Sequence, residues 1–326
     1  MAGEIRTAHP IWKDKWINLG TDDVIPYTLQ RGIEGVIYEG VAVKRPFEEN
    51  NRININDIVS KYLRQSFPAE QYETFNPVKL YTEIDVAVTG QPTQQLEYRY
   101  DWSYDDTYNP YDYNEILCAP INGRLSPHQD FIFSMLGQNF LELPSITLTE
   151  IDAQGVETSQ TINNDPNKNY RLAITPGTKT IKLDDKFTFQ VTDGCEGYCL
   201  YYVNEYGGWD SLLLDGMGIR TDEYKRFSHK REYDNAVATN TGVVTYLNEI
   251  TRKWELHTGY LTNGEGSRMH HLLSSPLVYL QDFTTDKILP VLITDEECRY
   301  KDYHNNGGQL VEYTINVEIA RDYQRQ

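Results

Sequence analysis

The amino-acid sequence predicts an all-β protein, made of β-sandwich domains with antiparallel sheets and one or two short helices. Many short segments are rich in Val, Ile, Thr and Tyr, and several alternate apolar with polar residues, as half-buried strands do. Clusters of Gly, Pro, Asn and Asp separate these segments and mark turns. Helical spacing of apolar residues is confined to two segments, 56–65 and 262–273. Many short strands joined by frequent turns favour sandwich domains.

The first part of the chain contains three clear strand patterns. Residues 35–43 are rich in β-branched side chains and bounded by glycines, residues 52–56 alternate strictly, and residues 78–88 return to a period of two. The first helical segment begins with Asn56 or Asp57 as its expected cap, because short polar side chains accept hydrogen bonds from the first free N–H groups of a helix.

A β-hairpin is predicted in the second half of the chain. Aromatic and β-branched residues at 198–203 lead into a turn that contains Gly207 and Gly208, and Trp209 follows directly. The Gly-Gly pair supplies the positive φ that a tight reversal needs. The apolar run 211–214 continues the second strand. We therefore expect a structural hairpin at the centre of a sheet, with Trp209 as a large anchor beside the turn.

The remaining second-half elements complete the all-β prediction. A charged stretch at 221–235 follows the hairpin and is not predicted as a strand. We expect two sandwich-like domains, 1–150 and 151–326, because this length suits about two domains and Gly, Asn and Pro cluster between 145 and 180. Further strands are predicted at 169–175, 179–183, 186–192, 241–248, 252–260, 277–281, 288–294, 298–303 and 309–320.

Composition limits the function classes. The chain has 326 residues, 39% of them hydrophobic, and it contains 25 Tyr and 5 Trp. Tyrosine brings apolar area with a polar tip, which suits sheets and protein–protein surfaces. The formal net charge is −18. This argues against a protein that wraps nucleic acid, since it has no basic surplus to displace counterions from phosphates.

The cysteines and the N-terminus indicate a soluble protein made in a reducing compartment. Four cysteines in 326 residues are too sparse for a disulfide scaffold, so we expect free thiols. The N-terminal residues lack the apolar core of a signal peptide, and no run approaches the roughly 20 apolar residues of a spanning helix. The cysteines are Cys118, Cys195, Cys199 and Cys298.

No residue pattern in the sequence carries an evident chemistry. His270 and His271 are adjacent in a predicted helix and point about 100° apart, so they do not form a metal pair. His257 lies in a strand without a neighbouring Cys or carboxylate motif. Phosphate-binding loops, Gly-x-Ser-x-Gly and His-Glu-x-x-His are absent from the sequence. We therefore predict a protein that is not an enzyme and has no catalytic, metal-binding or cofactor-binding residues.

An acidic and aromatic insertion at 101–113 is the predicted contact surface. It holds five Tyr or Trp and four Asp in thirteen positions, and its Asp spacing does not match a calcium-binding EF-hand loop. Such a segment could pack against a partner subunit, stack on sugar rings or remain a solvated loop. We expect partner contact. The candidate subunit contacts are Trp102, Tyr104, Tyr108, Tyr111 and Tyr113.

Six segments of the sequence carry a family resemblance: 37–63, 199–210, 254–261, 269–280, 288–293 and 313–318. They resemble tail proteins of crAss-like bacteriophages that infect Bacteroidetes. They occur in the same order and cover roughly half of the chain, but they leave out the insertion at 101–113. The resemblance implies a virion structural protein of the tail hub or neck ring, which carries over no catalytic residues.

The resemblance also implies partners and a location. Such a subunit is made in the cytoplasm of the host bacterium and resides in the virion tail, where it joins copies of itself and other tail or neck proteins into a ring. DNA passes nearby without specific binding, no membrane insertion occurs, and an acidic lumen keeps the genome from sticking.

Two alternatives stay open. A carbohydrate-binding module or tail-borne receptor-binding protein would use Trp102, Tyr104, Tyr108 and Tyr111 as stacking platforms. A tail-borne glycan hydrolase would need a cleft with paired carboxylates, which the sequence does not identify.

Overall fold

The structure is a computed structural model of the chain. About 61% of the described residues lie in strands, and the sheets are antiparallel apart from one short parallel pair. The predicted all-β class is therefore confirmed. The structure describes residues 9–11, 15–68, 80–100, 123–135, 145–162, 168–184, 187–192, 197–230, 243–261, 263–295 and 311–320.

Strands follow one another along the described part of the chain, most of them five to nine residues long. The predicted strand at 298–303 lies outside the described residues. In chain order the strands are β1 (His9–Pro10), β2 (Trp16–Gly20), β3 (Val24–Arg31), β4 (Gly35–Val43), β5 (Asn51–Asn54), β6 (Tyr81–Val88), β7 (Gln94–Arg99), β8 (Arg124–Leu125), β9 (Asp130–Met135), β10 (Ile146–Asp152), β11 (Glu157–Ile162), β12 (Lys168–Ala173), β13 (Thr178–Leu183), β14 (Phe187–Val191), β15 (Tyr198–Val203), β16 (Trp209–Leu214), β17 (Gly218–Lys230), β18 (Val243–His257), β19 (Val278–Asp282), β20 (Lys287–Ile293) and β21 (Thr314–Ile319).

Two short α-helices occur in the described residues, both inside the predicted segments. Helix α1 (Asn56–Val59) continues into a 3-10 turn, and helix α2 (Asn263–Leu273) lies in the second half of the chain. The predicted cap of α1 is wrong. Ile55 occupies the N-cap position, and the backbone N–H of Asn56 donates to the Asn54 side chain (3.0 Å). The side-chain amide of Asn56 does not cap the helix and donates to the Ile11 carbonyl instead (2.9 Å).

The chain forms two compact units, each built from separate stretches of sequence. The predicted domains 1–150 and 151–326 stay a prediction, because compactness alone does not test independent folding. Unit 1 comprises Met1–Asn122, Asp130–Val191 and Val203–Asp210; unit 2 comprises Gly123–Gln129, Thr192–Tyr202 and Ser211–Gln326.

The first part of unit 1 is a sheet with the strand order β1–β7–β6–β3–β4. Side chains alternate along β3, so that Ile25, Tyr27 and Leu29 face the core. The same core contains Leu19 from β2 and Val59 from α1. The β2–β5 pair and α1 thus close one side of the sheet, in the manner of a sandwich.

The second part of unit 1 contains strands in the order β11–β10–β13–β14 and a separate β12–β9 pair. Aromatic rings join the two layers. The ring of Phe131 on β9 meets that of Phe189 on β14 edge to face, with centroids 4.9 Å apart. Phe133 stacks on Tyr170 of β12 at 5.1 Å. These contacts bury large apolar area on the inner faces of both layers.

Unit 2 is built on a seven-stranded sheet with the order β16–β15–β19–β20–β21–β18–β17. Its core gathers side chains from the central strands, such as Leu280 and Val317, and from helix α2, which contributes Met269 and Leu272. The helix therefore covers part of one face of the sheet.

The core of unit 1 predicts an alkaline loss of stability. Tyr98 on β7 is fully buried, and burial raises the pKa of its phenol from 10.0 to about 12. The stability held by this neutral phenol is complete below about pH 10 and is lost between about pH 10 and 12, because the unfolded chain ionises first. A shift of two pKa units is worth about 2.7 kcal/mol.

We expect the free energy of unfolding, from urea titrations, to fall less between about pH 9 and pH 12 in Tyr98→Phe than in the wild type. Tyr260→Phe is the matched control, since Tyr260 is 67% exposed and should keep the wild-type slope. Equal slopes for all three proteins would contradict the buried phenol.

Candidate functional site

The predicted contact residues of the acidic insertion cannot be placed. Trp102, Tyr104, Tyr108, Tyr111 and Tyr113 lie outside the described residues, so their role as subunit contacts stays a prediction.

The predicted hairpin turn joins β15 to β16 and is held by one side chain. The carboxamide oxygen of Asn204 accepts hydrogen bonds from the N–H groups of Tyr206 and Gly208, both at 3.1 Å. The backbone N–H of Gly207 donates to the Asn204 carbonyl at 2.9 Å. Gly207 has a φ of 84°, which explains why glycine stands there.

Trp209 begins β16 and has no exposed surface. Its indole N–H donates to the carbonyl of Ser66 (3.0 Å), and its backbone N–H donates to the hydroxyl of Ser134 (3.0 Å). The ring of Phe67 meets the indole edge to face, at 5.2 Å between centroids. Trp209 thus anchors the turn inside unit 1 through both its apolar area and its N–H group.

A buried polar network surrounds the turn within unit 1. The side-chain amide of Gln65 donates to the carbonyl of Gly207, and its oxygen accepts from the amide of Asn169 (2.8 Å). The Ser134 hydroxyl donates to the Asn169 side-chain oxygen (2.7 Å). Because the network is buried, the hairpin turn is a structural element rather than an exposed binding loop.

A long two-stranded ribbon extends from the unit 2 sheet. Strand β17 pairs with β18 from Gly218 to Lys230, whereas β18 pairs with β21 only over residues 253–257. Residues 222–230 and 243–252 therefore pair only with each other among the described strands, and we call them the ribbon arm. Nine residues in a strand extend about 30 Å.

None of the described side chains in the ribbon arm is buried. Tyr224 is 59% exposed and Tyr246 is 61% exposed. The Tyr246 ring contacts Phe227 and His229, at centroid distances of 6.4 and 5.7 Å, and the Lys225 ammonium lies 5.1 Å above the Phe227 ring. A two-stranded ribbon whose described side chains form no buried core is marginal in water by itself.

Ion pairs hold the base of the ribbon arm. The Asp222 carboxylate accepts from the guanidinium groups of Arg220 (2.8 Å) and Arg252 (3.0 Å), and the Arg220 hydrogen bond is the main reason that the pKa of Asp222 is lowered. Glu223 pairs with Lys253 across the two strands at 2.8 Å. These contacts fix the register where the arm leaves the sheet.

One segment of the ribbon arm, residues 224–230 of β17, differs in charge from the whole chain. Residues 224–230 carry three basic side chains and no acidic one, in a chain of net charge −18. Sequence analysis did not predict this stretch as a strand, because charged residues interrupt its apolar pattern. The aromatic residues Tyr224 and Phe227 were the available signal for a strand.

The second exposed feature is the edge strand β4 of unit 1. It is nine residues long, lies at the end of its sheet and contains no Lys, Arg or Pro, the residues that commonly protect an edge. Tyr38 is 41% exposed and Val36 is 51% exposed. A bulge at Ile37 breaks the register, and the strand is regular from Tyr38 to Val43.

The outer face beside this edge is apolar as well. Val43 lies opposite Val24, and Val41 lies opposite Pro26, in cross-strand pairs on the solvent side of the sheet. Val41 and Val43 are 61% and 66% exposed. We call β4 together with Val24 and Pro26 the β4 edge. A long and largely apolar edge that has no partner among the described strands is a template for another strand.

A shallow groove around Trp16 is the described feature closest to a sugar-stacking site. The guanidinium groups of Arg45 and Arg52 lie 4.9 and 5.1 Å from the centre of the indole ring. Arg52 also pairs with Glu48 at 2.8 Å. The indole is thus already engaged by cations of the chain itself.

The described histidines do not build a metal centre. Among the described residues no group of three His, Cys, Asp or Glu side chains could hold a metal ion. His270 is exposed and His271 is buried, so they point to different sides of α2. His257 lies 3.4 Å from Glu255 and 3.8 Å from Glu312, at the partly exposed end of β18. In the part of the chain that is described, no helix has the length and apolarity needed to cross a membrane.

The buried indole predicts a large loss of stability. We expect Trp209→Ala to lower the free energy of unfolding by about 3–5 kcal/mol, because it removes a fully buried ring and leaves a cavity. Trp16→Ala is the control, since that ring is 41% exposed, and we expect a change within about 1 kcal/mol. Urea titration measures both, and a loss below about 1 kcal/mol for Trp209→Ala would show that the ring is not buried.

The turn predicts a second, matched pair of variants. Gly207 and Gly155 have φ values of 84° and 80°, but a Cβ at 207 would lie 1.9 Å from the Tyr100 carbonyl oxygen, whereas a Cβ at 155 meets nothing within 4 Å. We expect Gly155→Ala to cost about 1–2 kcal/mol from backbone strain alone. Gly207→Ala should cost a further 1–3 kcal/mol or so from the clash. Equal losses in urea titration would contradict the close packing of the turn.

Comparison of the chain with models of protein families, with curated proteins and with solved structures finds no match. The resemblance to phage tail proteins therefore stays a prediction from the sequence.

Proposed function

We propose that this chain is a non-enzymatic structural subunit of a bacteriophage tail, in the tail hub or the neck ring, and that copies of it assemble around the DNA path. The ribbon arm is the observation that carries the proposal. It projects about nine residues beyond the last strand that supports it, and none of its described side chains is buried. An element of this kind gains stability when a neighbouring subunit covers it.

Two further observations support assembly into a ring. The ribbon arm and the β4 edge are different surfaces, and contacts between unlike surfaces generate closed rings or filaments. The net charge of −18 keeps free subunits soluble and gives a ring lumen that repels DNA rather than binding it. Both features suit a multi-copy component of the tail, and the order of the resembling segments points to the same class.

The carbohydrate-binding or receptor-binding alternative receives less support. Its predicted stacking residues, Trp102, Tyr104, Tyr108 and Tyr111, lie outside the described residues. The exposed indole of Trp16 already carries two guanidinium groups. A sugar would have to displace these cations before it could stack on that ring.

Purified virions of the phage that encodes this chain test the proposal. We expect immunogold labelling with an antibody against the chain to mark the neck or tail, and light scattering after gel filtration to find the free wild-type chain in a multi-copy complex. A variant in which an Asn-Gly turn replaces residues 222–252 should remain folded by circular dichroism and lose the complex.

The matched control shortens another exposed hairpin. Replacement of residues 153–155, the loop between β10 and β11, by Asn-Gly should leave the complex unchanged, because that hairpin belongs to neither surface. Virions that lack the chain, or a complex that survives loss of the ribbon arm, would overturn the proposal.

A further inference from the structure

We propose that the ribbon arm of one copy binds along the β4 edge of the next copy, so that β17 adds a strand to the unit 1 sheet of its neighbour. This inference rests on the proposed function, since it names the partner of the ribbon arm as a second copy of the same chain. It follows from the backbone, the charges and the exposed apolar side chains of the two surfaces.

The backbone of both surfaces is open on one side. Strand β4 pairs only with β3, and β17 pairs only with β18, among the described strands. Each strand therefore presents unpaired N–H and C=O groups along its outer side. The regular part of β4, Tyr38–Val43, spans about 20 Å, and the nine residues of β17 in the ribbon arm are long enough to cover it.

The charges are complementary between the two surfaces and repulsive within each of them. Glu39 is exposed in the middle of β4, and no basic residue stands between positions 32 and 43. Lys225 and Arg226 are exposed on the ribbon arm. Pairing of two β4 edges would bring Glu39 close to its copy, and pairing of two arms through β17 would bring together their segments 224–230, which hold basic but no acidic side chains. Charge therefore favours the unlike pair.

The apolar side chains are complementary as well. Tyr224 and Tyr246 are exposed on the ribbon arm, while Val41 and Val43 are exposed on the β4 edge. Aromatic side chains pack well against β-branched ones across neighbouring strands. The same contact would cover apolar surface on both copies, which neither unit covers in the described chain.

Two variants separate this contact from other modes of assembly. The edge variant, Glu39→Lys with Val41→Lys, places two ammonium groups on the β4 edge and keeps the ribbon arm intact. The arm variant, Lys225→Glu with Arg226→Glu, reverses the charge of the arm and keeps the β4 edge intact. All four side chains are exposed, so both variants should keep the wild-type circular dichroism spectrum.

The oligomeric state of each variant and of their mixture is measured by light scattering after gel filtration. We expect each variant alone to be monomeric and an equimolar mixture of both to form at least a dimer, because the intact arm of the edge variant then meets the intact edge of the arm variant. Combining Glu39→Lys with Arg226→Glu in one chain should restore part of the wild-type assembly. The control for the arm variant, Lys61→Glu with Lys287→Glu, makes the same change in net charge as that variant at exposed sites outside both surfaces and should assemble like the wild type.

Several outcomes would overturn the contact. Dimers of either variant alone would indicate a symmetric arm–arm or edge–edge contact. A mixture that stays monomeric, or assembly that neither variant disturbs, would show that the two surfaces do not meet. If the arm variant assembles normally but loses binding of duplex DNA in fluorescence anisotropy, the arm binds nucleic acid instead.

The two proposals fail separately. Virions without the chain, together with a dimer in the mixture, would leave the contact standing and remove the tail function. Virions labelled at the neck or tail, together with a mixture of the two variants that stays monomeric, would support the tail function and rule out the contact.

Discussion

Burial of the turn at 204–208 is the constraint on which unit 1 depends. A buried turn leaves backbone groups that water cannot reach, and each needs a partner inside the protein. Asn204 accepts from two backbone N–H groups of the turn, and Gln65 donates to the carbonyl of Gly207. Asn169 holds Gln65 and Ser134 in place. Residues far apart in the sequence therefore have to come together before the turn can be buried, which makes these polar contacts specific as well as stabilising.

Backbone pairing also determines which strands lie at the edges of the sheets and are therefore exposed. Inner strands pair with a neighbour on both sides, whereas β4 and β17 pair on one side only among the described strands. Most proteins protect such edges with Lys, Pro or a covering loop. Here β4 has a bulge at Ile37, and its regular part exposes apolar side chains with one charged side chain, Glu39. The net charge of −18 works against indiscriminate association, so that the proposed contact would depend on local charge complementarity.

Local pattern predicted many elements well and failed where distant partners decide the structure. The period of two at 78–88 and the helical spacing at 262–273 were sufficient for β6 and α2, since burial on one face leaves a direct trace in the sequence. The cap of α1 was predicted at Asn56 or Asp57, but Asn56 is drawn to the Ile11 carbonyl, a partner that local sequence does not reveal. The charged residues 221–230 form a strand because β18 pairs with them along their length.

The sequence by itself determined the all-β class, the two helical segments and the turn at Gly207, because these depend on residues close together in the chain. Tertiary structure alone decided that the turn is buried, that β4 ends its sheet and that the ribbon arm extends beyond β21. Those features depend on which strands pair across long stretches of chain. The alternation of side chains along one strand does not show which other strand pairs with it. The surfaces proposed for assembly are therefore visible only once every strand has its neighbours.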